Sequence, residues 1–131
     1  MILLDTHVLV WLLVDEDRLS RRATSAIQRA RVSDGLAIAD VTMWELAFLI
    51  ARGTLRTRGT IENTVYNFVT RSGANVKPIT AEIAALATQF PDDYPKDPID
   101  RLIGATARAE GIALVTRDEK IRRSPLLKTI W

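Results

Sequence analysis

Three short apolar segments without polar alternation constrain the fold of this 131-residue chain most strongly. They lie at residues 1–5, 36–39 (LAIA) and 112–116 (IALVT), and segments with helical periodicity separate them. Strands of this kind are buried on both faces, as in a parallel sheet with helices above and below it. The pattern therefore predicts an α/β fold, with one open parallel sheet and helices on both faces in three layers.

Helix start and stop signals fill the intervals between these strands. Polar residues suited to capping precede the expected helices, and glycines follow several of them. The expected helices cover about 7–14, 21–33, 42–52, 61–73, 81–90, 98–110 and 119–123, with Ser20, Thr42, Thr60, Thr80 and Asp97 at their starts and Gly53, Gly73 and Gly111 at their ends. Residues 75–79 (NVKPI) and the final KTIW are expected to be extended.

The composition limits the class of protein. With 47% hydrophobic residues the chain can build one core, and it is too short for two, so residues 1–131 are expected to form a single domain. The absence of cysteine excludes disulfide scaffolds and thiolate zinc sites and fits a reducing, cytoplasmic compartment. No apolar run reaches the roughly 18 residues of a membrane span, and the N-terminus lacks a signal-peptide pattern, so a mature protein without a membrane segment is expected.

Acidic residues occupy positions that the predicted topology brings together. In an open parallel sheet the carboxyl ends of the strands share one edge, and ligands bind beyond it. The residues that map to this edge are Asp5 at the end of the first strand, Glu45 near the start of the helix after LAIA, Asp97 and Asp100 in the first turn of a later helix, and Asp118 after IALVT. We therefore expect their side chains to converge.

Helix capping explains any one of these acids, because a carboxylate can accept hydrogen bonds from the free N–H groups of a first helical turn. For Asp97, which precedes Pro98, capping is the preferred interpretation. For the other acids the capping interpretation stays open. Thr42 and Glu45 could form a capping box, and Asp5, Asp100 and Asp118 lie at helix starts.

Taken together, the carboxylates favour a bound cation. Two carboxylates about 5 Å apart repel by roughly 3 kcal/mol at an effective dielectric constant near 20. Several such pairs would approach the ~5–15 kcal/mol that stabilises a whole domain. Either some of the groups are protonated or a cation lies among them. Oxygen ligands without histidine or cysteine select a hard ion, Mg²⁺ or Mn²⁺.

Other catalytic motifs are missing, whereas arginine is abundant. The chain has a single histidine, His7, which is expected to pack or to form a hydrogen bond at a helix start rather than to bind metal, and it has no phosphate-binding loop, nucleophile elbow or zinc-protease motif. Metal-activated water acting on a phosphodiester is the chemistry that remains.

Arginine residues occur in several clusters along the chain. Any one cluster could be a solvated helix face, but several clusters suit the binding of a polyanion. The candidates for nucleic-acid contact are Arg18, Arg21, Arg22, Arg117 and Arg122.

Four segments, LLDTHVLVWLL, VTMWELA, DPIDRLIGATA and LVTRDEKI, together resemble the signatures of PIN-domain ribonucleases of the VapC toxin type, and the resemblance covers essentially the whole chain. It implies a sheet of about five parallel strands and a Mg²⁺- or Mn²⁺-dependent endoribonuclease that hydrolyses RNA. Such a toxin is usually a homodimer and is neutralised by a cognate VapB-type antitoxin.

The same resemblance implies roles for individual residues. The acidic quartet would be Asp5, Glu45, Asp100 and Asp118, of which Asp5, Asp100 and Asp118 would hold the metal ion; Asp97, Thr6 and Thr116 match accessory positions. Glu45 would complete the site through a water molecule or as a base. His7 departs from the pattern, because Asn or Ser follows the Asp-Thr pair in much of the family.

Two other functions stay open on the residues alone. A phosphohydrolase of small molecules would use the acids but not the arginines, and a catalytically silent PIN-like module would bind RNA or a partner.

The apolar segments VLVWLL and WELAFLI carry more hydrophobic surface than a small domain needs, so part of this surface is expected to bind a second subunit or the antitoxin. Trp11 and Trp44 are expected in the core or at such an interface rather than stacked on bases.

Overall fold

The chain folds around a single five-stranded sheet. The computed structural model describes all 131 residues. In chain order the elements are β1 (Ile2–Leu4), α1 (Thr6–Val14), a 3₁₀ turn (Glu16–Arg18), α2 (Arg21–Arg31), β2 (Leu36–Ala39), α3 (Val41–Ala51), α4 (Ile61–Ser72), β3 (Asn75–Lys77), α5 (Ala81–Ala87), α6 (Pro98–Glu110), β4 (Ala113–Val115), α7 (Glu119–Arg122) and β5 (Thr129–Ile130).

All strand pairs are parallel, and the strand order is β3-β2-β1-β4-β5. Strands β2 and β3 extend the sheet to one side of β1, and β4 and β5 extend it to the other side. The direction of strand addition therefore reverses between β1 and β4, which are paired through Leu3 and Leu114. A crevice opens at such a reversal, beyond the carboxyl ends of the two strands.

Two separate apolar clusters cover the two faces of the sheet. On one face Leu4 packs in a cluster with α1, α2 and Phe68 of α4, and on the other Leu3 packs with Ile83 of α5 and Ile103 of α6. Leu3 and Leu4 are both fully buried although they are neighbours on one strand and point to opposite faces. Apolar residues on both faces explain the missing alternation in the sequence. The prediction of a three-layer α/β fold is confirmed.

Most of the predicted helix termini are confirmed. The hydroxyls of Ser20, Thr60 and Thr80 each accept a hydrogen bond from the backbone N–H three residues further on. Gly73 and Gly111 end α4 and α6 with φ of +68° and +64°, a backbone conformation that residues with a side chain rarely adopt. The extended segments at 75–79 and at the end of the chain supply β3 and β5.

The prediction that Thr42 opens a helix is wrong. Helix α3 begins one residue earlier, after Asp40, and the buried Thr42 hydroxyl lies 3.1 Å from the hydroxyl of Thr6 instead of capping. The capping box with Glu45 does not form, and Glu45 lies beyond the first turn of α3. Asp40 in turn accepts a hydrogen bond from the Ile79 N–H, which ties the end of β2 to the segment after β3.

None of the helices combines the length and the apolar character that crossing a membrane requires.

Candidate active site

Asp5 lies at the centre of the crevice, between the end of β1 and the start of α1, and only 4% of its surface is exposed. Its Oδ1 accepts a hydrogen bond of 2.8 Å from the Thr6 N–H, and its Oδ2 accepts one of 2.7 Å from the Thr116 hydroxyl. The Asp5 N–H itself donates to the Val115 carbonyl of β4. Hydrogen bonds to both oxygens offset the desolvation of the buried charge.

Thr116 connects the two strands that border the crevice. Its side chain is fully buried, its hydroxyl donates to Asp5, and its Oγ1 accepts a 3.1 Å hydrogen bond from the Asp118 N–H. One threonine therefore fixes the relative position of two acids that are far apart in the sequence. Both hydrogen bonds that cap α7 end on Oδ1 of Asp118, from the N–H groups of Lys120 and Ile121, so Oδ2 is not used for capping.

Asp97 and Asp100 enter the crevice from the first turn of α6. Asp97 is exposed and caps the helix through a 2.7 Å hydrogen bond from the Ile99 N–H, so its predicted capping role is confirmed. Asp100, in the same first turn, is half-buried and does not cap the helix. The Tyr94 hydroxyl donates to the Asp100 backbone carbonyl and not to its carboxylate.

The electrostatics show that the acids converge. Burial, followed by the charges of four other acids, raises the pKa of Asp100 from 3.8 to about 7; those four are Asp5, Asp97, Glu45 and Asp118. Burial also raises the pKa of Glu45, as do Asp5 and Asp97, while a hydrogen bond from the Thr6 side chain opposes part of the rise. Asp100 therefore lies within electrostatic range of the other four acids that were predicted at this sheet edge.

The carboxylates are not arranged as a closed ligand cage. No three acidic or histidine side chains lie close enough together to hold one ion by themselves. The donor set consists of carboxylate oxygens, because the buried hydroxyls of Thr6 and Thr116 are already paired with Thr42 and with Asp5. Oxygen donors of this kind match a hard divalent cation that keeps part of its water shell, because Mg²⁺ is commonly held by only one or two carboxylates.

His7 borders the crevice next to Asp5. Its Nε2 accepts a 3.1 Å hydrogen bond from the Arg117 N–H, which places the imidazole proton on Nδ1, 3.6 Å from Oδ2 of Asp5. The ring packs against Trp11, with 4.9 Å between the ring centroids. The predicted hydrogen-bonding role of His7 at a helix start is confirmed.

The predicted arginines all lie on one side of the crevice, near α1, α2 and β5. The guanidinium groups of Arg18 and Arg117 lie 4.8 and 5.8 Å from the centroid of the Trp11 ring. Arg22 and Arg122 line a depression beside Trp131, and Arg21 lines the adjoining one. All five arginine residues are exposed.

The two tryptophans that were expected in the core or at an interface differ from each other. Trp11 is half-buried, but Trp44 is 58% exposed on α3, where its ring stacks on that of Phe48 at 5.3 Å. The core interpretation of Trp44 is therefore wrong, because α3 packs on α1, α4 and α6 through other residues and leaves this side uncovered.

Three residues beside the site escaped the sequence analysis. Arg101 of α6 donates hydrogen bonds to the backbone carbonyls of Phe90, Pro91 and Pro95, and Tyr94 packs over Gly104. Together they fix the loop that leads into Asp97 and Asp100. The glycine in the middle of a helix, which costs about 1 kcal/mol relative to alanine, was the signal that could have indicated a close approach there.

A doubly covered parallel sheet with acids at its reversal point defines a class of α/β proteins, and comparisons with known proteins identify the family within that class. The profile of the family described as "PIN domain" matches residues 2–125. The chain belongs to the PIN-domain family. It is 37% identical over 134 residues to "Ribonuclease VapC22" of Mycobacterium tuberculosis, a match that covers 99% of this chain and 98% of that protein.

Solved structures share the fold at lower sequence identity. One is VapBC2 from Rickettsia felis bound to a DNA fragment from the promoter, with a TM-score of 0.73, 18% identity and coverage of 98% of this chain and 97% of that chain. Another is FitAcB from Neisseria gonorrhoeae, with a TM-score of 0.70, 22% identity and coverage of 98% and 96%. A toxin–antitoxin complex from Klebsiella pneumoniae has a TM-score of 0.63, 22% identity and coverage of 96% and 94%.

Proposed function

We propose that this protein is a divalent-metal-dependent endoribonuclease and the toxin of a toxin–antitoxin pair, acting on RNA in the cytoplasm. The convergence of Asp5, Glu45, Asp100 and Asp118 at the reversal point of the sheet carries the proposal. Full-length similarity to a protein named as a ribonuclease supports the reaction, and fold relatives solved as toxin–antitoxin complexes support the biological role.

Asp5, Asp100 and Asp118 would hold Mg²⁺ or Mn²⁺ together with water molecules of the ion's own shell, with Asp97 as an accessory residue at the rim. When bound, such an ion activates water and stabilises the negative charge that develops on a phosphodiester under attack. The protein itself fixes the positions of the carboxylate oxygens relative to one another. Thr116 orients Asp5 and Asp118 relative to each other, and Thr6 orients both Asp5 and Glu45.

Glu45 is the candidate base. Its pKa is raised, first of all by burial, which makes it a stronger proton acceptor than an ordinary carboxylate. In this role it takes a proton from the attacking water, on the α3 side of the crevice. Asp100, which α6 brings in from the facing side, would hold the metal ion.

A cognate antitoxin of the VapB type is the expected protein partner. Toxins of such pairs are inhibited by their antitoxins, and an inhibitor must either enter this crevice or cover it. The crevice lies between two features that could receive a partner, the exposed arginines on one side and the uncovered Trp44–Phe48 face of α3 on the other.

The test is cleavage of a structured RNA pool by purified, antitoxin-free protein with Mg²⁺, with Mn²⁺ and with excess EDTA. Asp5→Asn, Asp100→Asn and Asp118→Asn should each lower cleavage at least 100-fold, while Asp93→Asn, an exposed acid in the loop before α6, should cut like the wild type. Thermal melting confirms that each variant is folded.

Three results would overturn the proposal. The first is RNA cleavage by the folded wild type that EDTA and all three substitutions leave unchanged. The second is no RNA cleavage together with metal-dependent hydrolysis of a small phosphodiester such as bis(p-nitrophenyl) phosphate, which would indicate a small-molecule phosphohydrolase. The third is a folded protein that neither cuts any substrate nor binds Mn²⁺, which would be a silent binding module.

A further inference from the structure

Two tryptophans and a group of arginines form a continuous surface that starts at the acidic crevice. Trp11 and Trp131 lie with 5.9 Å between their ring centroids, and both indoles are partly exposed. Arg18 and Arg117 lie over the Trp11 ring. We refer to Trp11, Trp131, Arg18, Arg22, Arg117 and Arg122 as the tryptophan–arginine strip.

The strip touches the candidate active site directly. A small pocket of about 270 Å³ is lined by His7, Trp11, Arg117 and Asp118. Asp118 is one of the candidate metal ligands, so a group bound at Trp11 would lie next to the place where a phosphodiester is cut. The pocket therefore shares one wall, Asp118, with the acidic crevice.

The strip continues away from the crevice into two basic depressions. The first, of about 420 Å³, is lined by Arg22, Arg122, Arg123, Glu119, Thr129 and Trp131. The second, of about 400 Å³, adjoins it and is lined by Arg21, Arg22, Ser25, Arg29 and Ile130. Glu119, the acid in the first depression, is 3.2 Å from Arg123, and the remaining arginines there have no acidic partner.

The arginines of the strip are not explained by ion pairs within the chain. The four ion pairs of the structure involve the N-terminus, His7, Lys77 and Arg123 as the positive partners. Arg18, Arg22, Arg117 and Arg122 therefore present exposed guanidinium groups without carboxylates. A guanidinium fork binds phosphate in two-point contacts and also stacks on flat rings.

We propose that the tryptophan–arginine strip is the binding track for single-stranded RNA on one side of the scissile bond. The proposal rests on the function proposed above and deepens it. A base next to the cleaved phosphate stacks at Trp11 and Trp131, and the following phosphates are bound by Arg22 and Arg122. Stacking on protein aromatics requires unpaired bases, so the track selects single-stranded segments over duplexes.

The first experiment measures binding separately from cleavage. Fluorescence anisotropy with a labelled single-stranded RNA of about 12 nucleotides is recorded in EDTA, where no metal-dependent cleavage occurs, at several salt concentrations. Arg22→Gln/Arg122→Gln should weaken binding and reduce the slope of log K against log salt by about 1.4, which corresponds to two lost phosphate contacts on a single strand. Trp131→Leu should weaken binding about fivefold or more while the salt slope is unchanged.

The matched controls change residues that line neither the strip's pocket nor its two depressions. Arg56→Gln/Arg58→Gln removes two exposed charges from the α3–α4 loop, and Trp44→Ala removes an exposed indole from α3. Both should bind the RNA like the wild type. Thermal melting of Trp131→Leu tests its fold, because the Trp131 ring also packs against the core, and leucine keeps apolar volume there.

The outcomes separate this proposal from the proposed nuclease function. Strip variants that bind and cut like the wild type overturn the track and leave the nuclease standing. A wild type that binds RNA through the strip but never cuts it supports the track and overturns the nuclease. Duplex RNA that competes as well as single-stranded RNA overturns the stacking assignment. Poly-glutamate that competes better than RNA shows a docking surface for an acidic protein segment and also overturns the track.

Discussion

A single buried carboxylate, Asp5, determines how the acidic crevice is organised. Both of its oxygens accept hydrogen bonds, one from the adjacent backbone and one from Thr116 on the far side of the crevice. Hydrogen bonds to a charged group contribute about 1.5–3 kcal/mol, whereas an unpaired buried charge destabilises by considerably more. The position of Asp5 inside the fold is therefore tolerable because its partners are fixed before any cation binds.

Removing the Thr116 hydroxyl should destabilise the protein and impair the crevice at the same time. Thr116→Val keeps the shape but leaves Oδ2 of Asp5 and the Asp118 N–H without their partner. We expect a loss of about 1–3 kcal/mol in the free energy of unfolding and at least a tenfold loss of RNA cleavage.

The matched control is Thr106→Val in α6. Thr106 is equally buried, but its hydroxyl bonds only to the Leu102 carbonyl of its own helix. Urea denaturation and cleavage assays on both variants test the prediction. If Thr116→Val and Thr106→Val change stability and cleavage equally, Thr116 contributes only to the packing of the core.

The crowding of carboxylates should make the metal-free protein less stable as the pH rises. The pKa of Asp100 is about 7 in the folded chain against an ordinary value of 3.8, so the unfolded chain loses this proton first. Stability is highest below about pH 4 for this group, falls as the pH rises, and stops falling above about pH 7. The raised pKa of Glu45 acts in the same direction.

A shift of this size corresponds to about 4 kcal/mol, and solvent screening at a partly exposed site reduces the expected effect to about 1–2 kcal/mol. Urea denaturation in EDTA at pH 5, 6, 7 and 8 measures it. Asp100→Asn should remove most of the decline, whereas Asp93→Asn should retain it. Identical declines in the wild type and Asp100→Asn would refute the assignment to this group.

At the residue scale, the sequence allowed the acids to be predicted but not their connections. The end of a strand and the start of a helix can both be recognised from neighbouring residues. Such local signals were enough to place Asp5, Asp100 and Asp118 at one edge of the sheet. The bonds of Thr116 to both sides of the crevice depend on the register between β1 and β4, which is set by tertiary packing. A threonine at the end of an apolar strand has no local feature that reveals such a role.

Helix α6 illustrates how an element is adapted to hold a site. Asp97 caps its start, Asp100 lies in its first turn, and Gly104 follows one turn later, where Tyr94 rests directly on the helix backbone. Tyr94 also stacks on Phe90 with 4.0 Å between ring centroids, and Arg101 closes the loop by binding three of its carbonyls. Gly104 is therefore required for the close approach of the loop, at a position where alanine is the better helix former.

Gly104→Ala should destabilise the protein by about 2–4 kcal/mol, because the new methyl group would overlap the Tyr94 hydroxyl and press on the Phe90 ring. Thermal or urea denaturation measures the loss. In the double variant Gly104→Ala/Tyr94→Phe the hydroxyl overlap is gone, so part of the stability should return. Full additivity of the two changes would show that the methyl group and Tyr94 do not meet.

Element boundaries show where local signals fail. Ser20, Thr60 and Thr80 cap helices that start at the surface, and each was predictable because only neighbouring residues take part. Thr42 has the same chemistry but lies at a buried start, where contact with Thr6 takes its hydroxyl. At Thr42, burial therefore overrode the capping preference of the side chain.

At the scale of the whole molecule, α3 presents an apolar face without a partner. Trp44 and Phe48 are 58% and 43% exposed, and with Val41, Leu49 and Ile99 they line a groove of about 720 Å³ beside Glu45 and Asp97. Large aromatic side chains exposed together are typical of protein interfaces. Self-association through this face stays our prediction, and it would place two acidic crevices near each other.

Light scattering after gel filtration at micromolar concentration tests that prediction. The wild type should elute as a dimer, and Phe48→Glu should be a monomer with an unchanged melting temperature. Tyr66→Glu on α4, where 68% of the tyrosine is exposed, is the matched control and should remain dimeric. A monomeric wild type without antitoxin would refute self-association through this face.

The strand order has a consequence for the making of the protein in the cell. Asp5 and Thr116 are bonded although 111 positions separate them, and β1 lies between β2 and β4 in the finished sheet. A ribosome delivers β1, β2 and β3 with Asp5 and Glu45 first, and α6 and β4 with Asp100 and Asp118 last. A chain still being translated therefore holds half of its acids and an unfilled edge on β1. The acidic crevice is therefore incomplete until α6 and β4, with Asp100 and Asp118, have left the ribosome and β4 has paired with β1.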